Sequence, residues 1–191
     1  MSQRKNHGIQ GFSLAHFIAS FALLQWIVSL FKLHLSIQII IMEKIIRLIN
    51  ILLAALLTGI IFGIWIGTDP QRLSEYTYVE QQQNIIKSLN VLMPIIGAIT
   101  ILLTIISAVR QKQNQTVYIT LLAAAGLFII TGLITRFGNQ PLNAIVMAWD
   151  KKNIPANWTE IRDKWWLLHK IRTVTSFIAL ILVIWSSIRK D

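Results

Sequence analysis

The apolar residues of this chain fall in long runs rather than in an alternating pattern, and the runs set the elements. Residues 45–66, 89–109, 116–135 and 165–188 each have about the length an α-helix needs to cross roughly 30 Å of bilayer hydrocarbon. None alternates as a strand does, and a backbone inside lipid must bond to itself, so the runs predict helices rather than barrel strands. A fifth apolar stretch, Gly11 to Phe31, is weakened by His16, Ser20 and Gln25 and followed by a short polar break from Lys32 to Gln38. It predicts an additional hydrophobic helix, spanning or lying at the interface; its apolar part is long for a signal peptide and no cleavage site follows it. The expected fold class is all-α: an integral membrane four-helix bundle over residues 42–191, after an N-terminal extension over residues 1–41. Met42-Glu43-Lys44-Ile45-Ile46-Arg47 resembles a membrane-protein start, so Met42 is an expected alternative initiator.

Polar and special residues punctuate this pattern. Asp69-Pro70 ends the first span, because the residue before a proline is pushed out of the helical region. A polar helix follows from Leu73 to Asn90, on which Tyr76, Glu80, Asn84 and Lys87 share one side. Two readings of it stay open: a solvated connector, or a helix whose Glu80 faces the same pocket as His169. Pro94 sits in the first turns of the second span, where proline is tolerated. The short turn from Arg110 to Gln115 makes the second and third spans an antiparallel hairpin. Gly59, Gly63 and Gly67 recur every four residues on one face of the first span, which favours close helix packing, and with it a homo-oligomer contact, over a substrate groove.

Composition agrees with the runs: 54% hydrophobic and 14% charged residues, with a mean hydropathy of +0.60, do not describe a soluble domain. The net charge of +10 would suggest nucleic acid in a soluble chain. Here the Lys and Arg flank the apolar runs, so the expected partner is the lipid bilayer and no nucleic acid. Lys44, Arg47, Arg110, Lys112, Arg189 and Lys190 fall on one side of a four-span topology, which places that side and the C-terminus in the cytoplasm and both long connections outside. A bacterial inner membrane is the expected location. With no cysteine, disulfides, iron–sulfur clusters and thiolate metal sites are excluded.

Candidate chemistry is concentrated between Arg136 and Arg172. Asn139 is a cap for a helix begun by Pro141, Gly138 permits a turn with positive φ, and Asn143 falls in the new helix's first turn. Trp158, Trp165, Trp166 and Trp185 suit the headgroup level as anchors. His169 and Arg172 sit about a turn inside the last span, where polar groups need a reason. Arg172 needs a carboxylate, with Glu80, Glu160 and Asp163 as candidates, or several carbonyls, unless it snorkels outward or binds an anionic or enolate-like oxygen. His169 is either a core hydrogen-bonding group or a general base. It is the lone histidine of the four-span region, which makes a metal site a poor fit.

These residues carry a resemblance. Asn139-x-Pro141-x-Asn143 after a glycine-containing bundle, then Trp149, Arg162-x-x-Trp165 and His169-x-x-Arg172, is similar to the anthrone-oxygenase-like family of small four-helix membrane proteins, from about Glu43 to Lys190. Most members are bacterial and of unknown function. The resemblance implies oxidation of an apolar phenolic or anthrone-like small molecule without a conventional redox cofactor. It places Asn139, Asn143, Trp165, His169 and Arg172 on the recurring pattern. In that reading His169 removes a proton while Arg172 and Asn143 stabilise the enolate, and the carbanion meets oxygen. The competing expectation is a non-catalytic membrane protein that binds lipid, quinone or a partner protein.

Overall fold

The computed structural model describes the backbone of residues 7–189 and side chains from residue 16 onward. Lys190, one of the residues used for the orientation, lies outside the described residues. The chain is all-α: α1 (His7–Gly67), a short 3-10 turn (Pro70–Arg72), α2 (Glu75–Leu89), α3 (Leu92–Arg110), α4 (Gln115–Leu133), a π-helical turn (Ile134–Asn139), α5 (Gln140–Met147) and α6 (Trp158–Ile188). Four helical stretches are long and apolar enough to cross a membrane, the segments within 16–72, 92–110, 115–147 and 158–188. This is an integral membrane helical bundle.

The expected polar break at residues 32–38 does not interrupt the helix. No Gly or Pro occurs between Phe12 and Thr58, so nothing there costs the backbone its helical bonds. The polar side chains bond back along the helix instead, Ser36 Oγ to the Lys32 carbonyl at 2.9 Å and Gln38 Nε2 to His34 Nε2 at 3.0 Å. The chain divides into two compact units, residues 1–44 and 45–191. In the described part of the first, the large apolar side chains are exposed throughout, Phe17, Trp26 and Ile40 among them.

In the second unit the core interleaves alanines with larger apolar residues at helical spacing: Ala54, Leu57 and Ile61 of α1, Val117, Leu121, Ala124 and Phe128 of α4, and Ala179 and Val183 of α6. The buried stripe of α6 runs Trp165, Trp166, His169, Thr173, Ser176, Ala179, Val183, Ser186, so its inward face is more polar than its outward one. That inversion suits a helix in lipid, where helices associate through small-residue packing and hydrogen bonds. Thr104 Oγ1 donates to Asn50 Oδ1 at 2.9 Å between α3 and α1, and Thr58 Oγ1 donates to the Ser176 carbonyl at 3.3 Å between α1 and α6. Phe62 of α1 meets Phe177 of α6 edge to face at 4.9 Å. The outward faces carry Leu52, Leu56, Ile99, Leu102 and Ile181, all exposed.

The connection after α1 is held by Asp69, which accepts from the Gln71 N–H at 3.1 Å, and α2 is capped by Ser74, which accepts from the Thr77 N–H at 3.3 Å. The face of α2 that packs inward is Tyr78, Val79, Gln82, Gln83 and Ile86. Tyr76, Asn84 and Lys87 of the opposite face are exposed. Gln83 Nε2 reaches the carbonyls of Val146 and Trp149, both at 3.0 Å, and ties α2 to the end of α5.

Candidate functional site

The helix expected from Pro141 is present, but the turn expected ahead of it is not: the chain is helical from Gln115 to Met147, and Pro141 explains how. Proline has no N–H, and in a regular α-helix its ring would collide with the carbonyl four residues back, that of Phe137. The chain rewinds locally into a π turn, in which the Gln140 N–H donates to the Thr135 carbonyl five residues earlier. Gly138 lies inside this turn without a positive φ, so the expected glycine turn is not formed. Its missing side chain serves close approach: a Cβ there would stand 2.8 Å from Leu168 Cδ1 on α6. Asn139 does not cap α5. It is fully buried, and its Nδ2 donates at 3.1 Å to the Trp165 carbonyl across the interface.

Asn143, one turn further, accepts from the Trp165 indole N–H at 2.8 Å and donates to Asn90 Oδ1 at 3.2 Å. Trp165 and Trp166 are therefore not headgroup anchors. Both are buried, and both rings lie parallel to the His169 imidazole, with centroids 5.0 and 5.5 Å away. Trp185 is half exposed and keeps the geometry of an anchor.

His169 is fully buried, and its Nδ1 receives Arg172 Nη2 at 2.8 Å and Arg172 Nε at 3.2 Å. A guanidinium only donates, so Nδ1 must carry its lone pair and the imidazole proton sits on Nε2. Nε2 has no hydrogen-bond partner among the described residues. Arg172 Nη1 donates to Thr135 Oγ1 at 3.2 Å, and its guanidinium carbon lies 6.0 Å from the Trp165 ring centre. Neither expectation for Arg172 as a structural group is met. It does not run out to the surface, and none of the expected carboxylates reaches it. Glu80 pairs with Lys151 at 2.9 Å, Asp163 with Arg162 at 2.9 Å and with Gln71 at 3.2 Å, and Glu160 is exposed.

Arg172 borders two cavities that share Ile61, Met93, Pro94, Thr135 and Gln140 as walls. The first reaches toward the connections and is bordered also by Gln82, Asn90, Asn143 and Trp165. The second, about 240 Å³, lies between α3 and α4 and is almost wholly apolar apart from Thr131, Thr135, Arg136, Gln140 and Arg172. His169 lines neither; it stands behind Arg172. Of the sequence candidates, Asn139, Asn143, Trp165, His169 and Arg172 thus form one connected polar cluster, and Glu80 stands apart, engaged with the loop lysine.

Sequence reasoning missed Gln82, whose buried Nε2 has no partner and which borders the first cavity, and Thr135, the hydroxyl holding Arg172. The signal for Gln82 was the four-residue spacing Tyr78, Gln82, Ile86, which marks the inward face of α2. Tyr78 lies at the same level, beside Trp158 at 5.7 Å; its hydroxyl is buried without a partner, and burial pushes the phenol above its ordinary range while Arg162 pulls it back. Among the described residues no three His, Asp or Glu side chains gather closely enough to hold a metal ion.

The described residues define a class: an integral membrane helical bundle whose inward polar cluster ends in Arg172, with no carboxylate among the described residues bonded to it, beside a largely apolar cavity. Residues 83–182 match the family model for anthrone oxygenase, a stretch running from α2 through most of α6 that contains all of the cluster. The chain belongs to the anthrone oxygenase family. No curated protein and no solved structure matches it.

Proposed function

We propose that the protein is a membrane oxygenase that oxidises an apolar phenolic or anthrone-like substrate without a redox cofactor. The observation that carries this reading is Arg172, which borders an apolar cavity and is held by His169 behind it and by Thr135 on the cavity wall, with no described carboxylate to neutralise it. A positive charge preorganised in low dielectric stabilises an enolate or phenolate far better than water does. Family membership supports the reaction class.

The substrate oxygen takes the guanidinium N–H now given to His169, and the Asn143 amide lies on the adjoining wall to support it. Losing that donor frees the Nδ1 lone pair, and His169 then accepts the proton from the activated ring carbon. Its action as a base is coupled to the movement of Arg172 rather than exposed to the pocket. The carbanion reacts with oxygen: the CH₂ carbon becomes a carbonyl, one oxygen atom is retained there, and the other leaves as water with the two hydrogens. Asn139 and Trp165 position the cluster. Glu80 has no part in this scheme. The basic residues flanking the spans support a site on the outer side of the membrane with the C-terminus in the cytoplasm, and a bacterial inner membrane is the location this reading takes.

Oxygen uptake by the purified protein with anthrone tests the proposal. Arg172→Gln is expected to lower the rate by roughly 10²-fold or more, the usual cost of removing one oxyanion donor. An unchanged rate in that variant removes Arg172 from the chemistry. A second reading, a non-catalytic protein that binds lipid, quinone or a partner, is favoured by Gly59 and Gly63 of α1, both exposed with nothing within 4 Å of an added Cβ. With Gly67 they offer a face for a second copy. Absence of any anthrone-dependent uptake would favour that reading.

A further inference from the structure

The larger cavity opens between α3 and α4. Its floor is Leu57 and Ile61 of α1 and Phe128 of α4, all buried, whereas Pro94, Ala98 and Gly132 on its rim are exposed, with the exposed Arg136 at one end of that rim. In a membrane that rim faces acyl chains, and Arg172 stands at the cavity's polar end. Gly97 of α3 and Gly132 of α4 both line the space, and a Cβ built on either meets nothing within 4 Å. Helix packing therefore does not require these two glycines, and neither has a positive φ. What their missing side chains leave is width.

We infer that Gly97 and Gly132 are specificity-determining residues: they set the width of a lateral entrance through which a planar, fused-ring hydroxyaromatic slides from the lipid, its rings between α3 and α4 and its oxygen on Arg172. A charged amphiphile with a bulky headgroup is excluded by the small volume, and a purely apolar molecule gains nothing from an arginine that no described carboxylate neutralises. The chemistry of the occupant rests on the oxygenase reading; the binding geometry does not.

The test uses the full chain in lipid nanodiscs with two probes, tritiated 1-hydroxyanthraquinone, which has three fused rings, and 4-ethylphenol, which has one, as its competitor. Gly97→Leu and Gly132→Leu are expected to weaken binding of the three-ring probe by about tenfold or more while leaving 4-ethylphenol within about twofold, since overfilling a pocket discriminates by size. Gly97→Ala and Gly132→Ala fall between, and they guard against misfolding because alanine raises helix propensity. Gly126→Leu on α4 is the control, equally open but away from the cavity, and is expected to change nothing. No binding by the unmodified protein, equal binding by all variants, or an equal loss in Gly126→Leu would each overturn the inference. Anthrone-dependent oxygen uptake on the same samples separates the two ideas: width-dependent binding without uptake keeps the entrance and rejects the oxygenase, and uptake indifferent to Gly97 and Gly132 does the reverse.

Discussion

Replacing His169 separates its two candidate duties, because asparagine and glutamine imitate different imidazole nitrogens. In His169→Asn the new Oδ1 would lie near the place of Nδ1, whereas in His169→Gln the Oε1 would reach toward that of Nε2. Arg172 makes three contacts, two of them sharing the single Nδ1 lone pair and one to Thr135. Losing the shared acceptor removes one charge-assisted hydrogen bond, about 1.5–3 kcal/mol. Losing the imidazole's stacking on Trp165 and Trp166 adds about 0.5–1.5 kcal/mol, part of which an apolar side chain of similar volume recovers. His169→Leu is therefore expected to destabilise the protein by about 2–4 kcal/mol, and His169→Asn by about half of that, because Arg172 keeps an acceptor. The assay is reversible unfolding in mixed micelles, followed by circular dichroism, alongside anthrone-dependent oxygen uptake. If His169 is the base, His169→Asn holds Arg172 but loses uptake; if it only positions the guanidinium, His169→Asn keeps most of it. Equal stability of His169→Leu and the unmodified protein would refute the derivation, since it would mean that Arg172 does not depend on Nδ1.

Three further outcomes follow from the same geometry. Asn139→Asp is expected to destabilise more than Asn139→Ala in the same unfolding assay, because it faces the Trp165 carbonyl with a second acceptor in place of a donor. Tyr78→Phe is expected to be neutral or stabilising near pH 7, since the hydroxyl it removes has no partner. It also flattens alkaline unfolding: the folded-state pKa is raised, so the unfolded chain ionises first and stability falls as pH rises above about 10, a loss the phenylalanine variant escapes when unfolding is followed against pH. Glu80→Gln is expected to change stability by less than about 1 kcal/mol and uptake by less than about twofold, because its pairing with Lys151 is half exposed; a large loss of activity would return Glu80 to the site.

The spans were legible because bilayer thickness imposes a length on apolar runs that no tertiary context overrides. Helix continuity was less so. Residues 32–38 read as a break because they are polar, yet polarity does not break a helix when each side chain has a carbonyl or a neighbouring ring a turn away. Pro141 misled in the same manner: it reads as a helix start, with Asn139 as its cap, and the fold absorbs it in a π turn that sends Asn139 across to α6. The aromatic pair after residue 164 reads as an interface belt from hydropathy alone, and only the packing of α6 against α5 reveals that both rings are inside. On α2, the charged residue drew notice while the buried amides two and three positions later carried the inward face. Arg172 was legible as an anomaly, but its partner was expected to be an acid, and the lone pair of a neutral imidazole was not considered.

The π turn also has an evolutionary and engineering consequence. The surplus residue and the proline that follows it are coupled: deleting a single position between Ile134 and Asn139 would take out the extra residue but set the Pro141 ring against the carbonyl four positions back, so the helix would have to kink or unwind just ahead of Asn143. A bundle that keeps this proline must therefore keep its additional residue as well, and the two are expected to be gained or lost together.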